Sequence, residues 1–231
     1  MLSAAGKLLG RKRNTGPLSP TGVALLMHMD DAVTTQFTDV VGHSVIRNGS
    51  PVISDAWAGA FGGRSALFSG AAGNFLSLEP SADWAFGSGD FTIEVRINPN
   101  SVTGNQNIIG NYISNTVGHW MLRMQGTTVV WYINGAALFT MNAAPAMQIG
   151  VPASLAIQRR GDQCVGYIGG NLNGTARTYS GNFGTSTNPL AIGGDSAGAN
   201  GFSGYIDEVR ITKAALYTGN YTPEVVAFPD P

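Results

Sequence analysis

Disulfides are excluded at once, because Cys164 is the only cysteine in the 231 residues. A chain without a bridge suits folding in a reducing compartment. Charge is also scarce: 12% of residues are Asp, Glu, Lys or Arg, against 43% that are hydrophobic. That balance excludes a disordered polyelectrolyte. No run approaches the roughly 18 apolar residues of a membrane span, so no membrane partner is expected. "MLSAAGKLLGRKR" lacks the order of a secretory signal, since its charges follow its apolar residues. Only three histidines occur, His28, His43 and His119, without His-Glu-x-x-His, Cys-x-x-Cys or EF-hand spacing. The expectation is no metal site and no cofactor. No window sustains an apolar period of 3.6 residues, which confines helix to short turns.

What the chain does have is glycine, 32 residues of it, about twice the usual ~7%. Glycine reaches positive φ at little cost, so many short strands joined by tight turns account for the excess. Strand patterns predict elements near 23–29, 65–68, 75–78, 91–97, 107–113, 119–124, 128–134, 153–160, 163–168, 189–192 and 204–212. Turn clusters such as "GSGD", "RRGDQ" and "GGDSAGANG" separate them. In "FTIEVRI", Phe91, Ile93, Val95 and Ile97 share one face; Thr92, Glu94 and Arg96 share the other. "YIDEVRI" repeats the pattern. Strict alternation there puts Tyr205, Asp207, Val209 and Ile211 on one face and Ile206, Glu208 and Arg210 on the other. The fold class expected is all-β, a sandwich or barrel, with an extended arm over residues 1–20 and one domain over 21–231.

Charge is unevenly placed. Lys7, Arg11, Lys12 and Arg13 are four of thirteen basic residues, and no acid precedes Asp30, leaving nine bases against fourteen acids, a net of −5. A net-acidic body argues against nucleic acid as a partner. The basic arm, with Leu8 and Leu9, reads as a docking segment, and "NTGPLSP" as its spacer.

Three blocks carry a family resemblance: "LLMHMDD"; "FGGRSALFSGAAGNFLSLEPSADWAFGSGDFTIEVRINP" (61–99); and "PLAIGGDSAGANGFSGYIDEVRITKAALYTGNYTP" (189–223). Together they resemble the laminin-G-like, concanavalin A-like lectin/glucanase superfamily, in versions common in tailed-bacteriophage virion proteins. The resemblance spans about residues 23–228 and implies a jelly-roll of two antiparallel sheets. The chain departs from the pattern at Arg96, where such domains often have Trp, and at Gly169-Gly170, in place of Asp-Gly. The resemblance therefore bears on the fold more than on a family-type sugar or calcium site.

Catalytic readings fare poorly. Glycosidases need two carboxyl groups on one side of a substrate, roughly 5–9.5 Å apart. Adjacent strand residues point to opposite faces, so Asp207 and Glu208 form no such pair unless a bulge intervenes. Glu94 and Glu208 are each followed two residues on by an arginine, so a cross-strand charge ladder is expected. "GDSAG" fits Gly-x-Ser-x-Gly but is followed by a strand and by no downstream histidine, so it reads as a loop. No enzyme is expected.

Sugar binding would use loop aromatics with polar neighbours. The candidates are Trp57, Tyr112 and Tyr179, with Asp195 and Asn200; Trp84, Trp120 and Trp131 read as core. The leading expectation is a non-enzymatic virion structural protein of a tailed phage, a head, neck or tail decoration. It would fold in the host cytoplasm, dock on other virion proteins through the arm, and be present in several copies or as a homo-oligomer. The alternative is a carbohydrate-binding module for host surface glycan, and behind it a glycoside hydrolase.

Overall fold

The computed structural model describes residues 20–57, 61–112, 118–142, 147–184 and 187–231. The docking candidates Lys7, Leu8, Leu9, Arg11, Lys12 and Arg13 lie outside them. Among the described residues, fifteen strands form two antiparallel sheets packed face to face. The larger holds eight strands: β1 (Val23–Met27), β3 (Val52–Ser54), β4 (Ser65–Ser69), β6 (Phe91–Pro99), β11 (Ala153–Arg160), β12 (Gln163–Ile168), β13 (Asn171–Thr178) and β15 (Ser203–Thr212). The smaller holds seven: β2 (Val45–Asn48), β5 (Phe75–Leu78), β7 (Asn105–Gly110), β8 (Trp120–Gln125), β9 (Thr128–Ile133), β10 (Ala136–Met141) and β14 (Leu190–Ile192). No helix among the described residues is long and apolar enough to cross a membrane.

Every strand expected from the sequence is present. Four others are not in that expectation. β10 follows Asn134-Gly135, both at positive φ, a two-residue turn whose Asn-Gly pair is itself a hairpin signal. β13 reads "NLNGTART" and has no apolar alternation because it is an edge strand, mostly exposed. β2 and β3 are only 4 and 3 residues long.

Alternation fills the space between the sheets. Ile93, Val95, Ile157, Ile206 and Ile211 come from one side, Leu76, Leu122, Met124 and Ile192 from the other, all in one buried cluster. One end of the sandwich is closed by rings, with Trp120 on Trp131 at 5.3 Å and Phe86 on Phe91 at 4.1 Å. Trp84, Trp120 and Trp131 are each at most 1% exposed, as packing requires. Truncating such a side chain costs about 3–5 kcal/mol. This is the tryptophan end; the connections β4–β5, β6–β7 and β14–β15 meet at the other.

Strand β15 occupies the middle of the larger sheet. It pairs with β6 along one side; on the other it pairs with β4 through Ser203–Ile206 and with β1 through Val209–Thr212. The "EVRI" echo is explained by that pairing, since Glu94 lies opposite Arg210 and Arg96 opposite Asp207.

Candidate functional site

At the changeover from β4 to β1, the register of β15 against β6 shifts between Asp207 and Arg210, and Glu208 adopts φ 49°. This bulge corrects the strict alternation expected from the sequence. Ile206, Val209 and Ile211 enter the core. Asp207 and Glu208 fall together on the outer face, both at most 1% exposed. A bulge re-aims side chains in this way because one extra residue breaks the period of two.

The two acids thus share a face, and their partners decide what they do. Asp207 Oδ2 accepts the Phe61 amide at 2.9 Å, anchoring the turn that leads into β4. Glu208 lies 2.9 Å from His28 Nδ1, at the end of β1, and accepts the Phe228 amide at 2.9 Å. Glu94 accepts from Arg210 at 2.7 Å and from the Tyr217 hydroxyl. Half of the expected charge ladder therefore forms, as Glu94–Arg210. Glu208 pairs with a histidine instead, and Arg96 lies over the Phe61 ring at 3.9 Å and the Trp57 ring at 5.4 Å.

Two segments roof this face. Trp57 and Phe61 belong to one; the other is the stretch after β15. Tyr217 and Tyr221 stack at 3.5 Å, and Phe228 covers the Arg210 guanidinium at 3.8 Å. Thr92, expected on an exposed polar face, is fully buried and bonds Ala214 O at 2.7 Å. Near Phe61, Arg96, Glu208 and Tyr221 only about 20 Å³ remains open, room for a water and far too little for a sugar ring. Burial raises the Asp207 carboxyl to about 7. The Glu208 hydrogen bond, joined by Asp230 at 3.0 Å, raises His28 to about 9. Burial likewise raises Glu94, against the pull of Arg210. Glu94 and Glu208 are held by donors of the fold, and Asp207 by one amide through Oδ2, its buried Oδ1 having no partner among the described residues, so the arrangement braces the sheet.

The other motifs also resolve into local structure. Gly194–Gly198 is a loop closed by the Gly198 amide on Asp195 O at 2.8 Å, and β15 follows it, not a helix. His43 sits between Asp39 (2.6 Å) and Asp83 (2.9 Å), and His119 contacts Asn188 at 3.1 Å. Among the described residues no three His, Cys, Asp or Glu side chains cluster to hold a metal ion.

The five sugar-binding candidates separate into three places. Trp57 is 6% exposed, tilted against Tyr205 at 6.2 Å, so it roofs the larger sheet and is no open platform for a sugar. Tyr112 and Tyr179 share the tryptophan end. Tyr112 lies edge-on to His119 at 6.4 Å, while Tyr179 packs on Phe183 at 5.0 Å and its hydroxyl accepts from Asn134 at 3.0 Å. Asp195 and Asn200 lie at the opposite end. The buried Asp195 carboxylate accepts from the Ala199 amide at 2.7 Å and from Asn200 Nδ2 at 2.9 Å. Asn200 itself stands at φ 50° and lines a mostly polar cleft of about 380 Å³. Sequence reasoning missed the other walls of this cleft, Ser69, Asn105 and Ser203 among them, because three connections far apart in the chain build it.

A sandwich of this topology, with β15 at the centre of its larger sheet, agrees with the family match over residues 70–218, to the Concanavalin A-like lectin/glucanases superfamily. The chain belongs to that superfamily. Solved structures share its fold. The binding domain of Paraclostridial Mosquitocidal Protein 1 is 14% identical with a TM-score of 0.64, over 85% of this chain and 50% of that one. The botulinum neurotoxin serotype G binding domain is 14% identical with a TM-score of 0.60, over 84% and 48%. The superfamily chain thus spans about half the length of these toxin domains. Domain 4 of a GH43 extracellular arabinanase from Geobacillus stearothermophilus, solved in complex with arabinotriose, is 15% identical with a TM-score of 0.60, over 85% and 94%. At these identities the likeness is one of fold. No curated protein matches the chain by sequence.

Proposed function

We propose that this lectin-like domain is a non-enzymatic glycan-binding module, displayed on a tailed-phage virion. One observation carries the binding half: the acids gathered by the fold are locked under a roof, whereas an open polar cleft stands at the loop end beside Asn200. A general acid or base must reach a substrate proton, and Glu94, Asp207 and Glu208 are buried and engaged. The arabinanase domain of the same fold, solved with arabinotriose, supports the ligand class. Incubation with a panel of oligosaccharides tests this directly: retention without cleavage is expected. Cleavage lost in Glu208→Gln, with the fold intact, would overturn it.

The display half rests on the resemblance of the three sequence blocks to phage virion domains and on the segregated cations Lys7, Arg11, Lys12 and Arg13 beside Leu8 and Leu9. Other virion proteins are the partners in this reading. Deleting residues 1–16 is expected to leave the melting temperature of the body unchanged and to abolish incorporation into particles. Truncated protein incorporated at normal copy number would move the attachment surface onto the sandwich.

A further inference from the structure

We propose that the cleft between the β4–β5, β6–β7 and β14–β15 connections is the glycan site, and that it takes a neutral sugar. The inference rests on the binding function above and specifies its place and ligand chemistry.

The cleft exists because two backbones meet at glycine. A Cβ on Gly201 would stand 2.8 Å from Gly70 O and 2.9 Å from Ala71 O, and one on Gly70 would stand 2.9 Å from Ser203 Cβ. Two braces then hold the walls. Gln106, 4% exposed, donates to Ser101 O at 3.0 Å and Thr103 O at 3.2 Å and accepts the Ser203 amide at 2.9 Å. Asp195 holds the Asn200 side chain from behind. A site held this way is formed before its ligand arrives, which lowers the ordering cost of binding.

With the braces satisfied, other groups on the walls remain free among the described residues. Asn105 uses only its Oδ1, which accepts from Gln125 at 3.2 Å. Asn200 uses only its Nδ2, on Asp195. The Ser203 hydroxyl makes no hydrogen bond among the described residues, and the Ser69 hydroxyl serves only as acceptor for the Ala71 amide at 3.3 Å. Donors (Asn105 Nδ2, the two hydroxyls) and an acceptor (Asn200 Oδ1) thus line one hollow, matching the mixed donor–acceptor character of sugar hydroxyls. Among the described residues no ionisable side chain lines it. The Asp195 carboxylate, bonded to Asn200, is 8% exposed and accepts from its own loop. A sulfated or carboxylated sugar would find no cation there among the described residues, and its charge would be desolvated against neutral amides. At about 380 Å³ the cleft sits low in the ~300–1,000 Å³ range of small-ligand sites, the size of a chain end and not of a long polymer. Among the described residues no aromatic ring lines it; each hydrogen bond contributes modestly and affinity of one copy is on the order of 1 mM; several copies on one particle multiply it.

The test is a glycan array probed with full-length protein in multivalent form, carrying neutral, sialylated and sulfated glycans, followed by NMR titration with the best neutral disaccharide. Binding of neutral glycans is expected, reduced at least ~10-fold in Asn105→Ala/Ser203→Ala and unchanged in Tyr112→Ala at the opposite end, with wild-type melting temperatures in both. Neutral binding intact in the cleft variant but lost in Tyr112→Ala would overturn the placement and leave glycan binding standing. A preference for sialylated or sulfated glycans that the cleft variant abolishes would overturn the ligand class. Absence of binding to any glycan would defeat both this inference and the function on which it rests.

Discussion

The roofed face of the larger sheet and the cleft at the loop end are both polar, yet they use polarity in opposite ways. Under the roof, Glu94, Arg210, Glu208 and His28 answer one another and the segment after β15. At the cleft, Asn105, Asn200 and Ser203 have capacity left over. The roof carries charge, which a fold leaves buried only when it is paired; the cleft carries amides and hydroxyls, which stay half in water without penalty. Charge here goes with architecture, and neutral polarity with the cleft proposed for recognition.

The contrast breaks most easily at Arg210. Replacing it with Ala strands the Glu94 carboxylate in a site 4% exposed and is expected to cost about 3–5 kcal/mol in urea melts. The double change Glu94→Gln/Arg210→Met should recover much of that. A loss under 1 kcal/mol for the single variant would mean the pair is not structural. Next comes Ile93→Ala, expected to cost about 2–5 kcal/mol through a core cavity, with Thr92→Ala costing about 1–2 kcal/mol because its hydroxyl holds the roof at Ala214.

Titration sharpens the comparison further. Asp207 binds a proton up to about 7 folded, against 3.8 for its ordinary value, so the folded state holds the extra proton and stability falls as pH rises between those limits. His28 is raised from 6.5 to about 9; its contribution is full below 6.5 and disappears as pH rises through 9. Both act in one direction. The melting temperature is expected to decline from about pH 5 to pH 9, by about 2–4 °C for each kcal/mol lost. Asp207→Asn should flatten the lower part of that slope and His28→Gln the upper. A wild-type curve rising with pH would refute the assignment. The smallest effect belongs to the cleft, where Asn105→Ala should change stability by no more than about 0.5 kcal/mol.

The sandwich was legible because its strands carry their own evidence: "FTIEVRI" alternates, and its inner residues are the core. Polar β13 had no such signal, since an edge strand buries almost nothing. The bulge was hidden for a different reason. "YIDEVRI" alternates as well as its partner does, and only the change of neighbour from β4 to β1 forces Glu208 to φ 49°. Of the sugar-binding candidates, Asn200 stands on the proposed site with Asp195 behind it. Trp57 misled because a turn-rich neighbourhood looks exposed until the ring is seen lying against Tyr205 and Arg96. Asn105 and Ser203 carried no mark, since their meaning depends on two loops meeting at Gly70 and Gly201.

The position of β15 also governs the order of assembly. It follows all the other described strands in the chain, yet it fills the centre of the larger sheet, between β6 and the pair β4 and β1. Until residue 212 has left the ribosome, β4 and β6 each expose a row of unpaired amides and carbonyls. The larger sheet therefore closes late and as a unit, through contacts remote in sequence, which makes folding slow. A nascent chain stalled before Ser203 is two open edges awaiting the wrong partner, and a cell short of chaperones should show it first as aggregated fragments rather than as misfolded full-length protein.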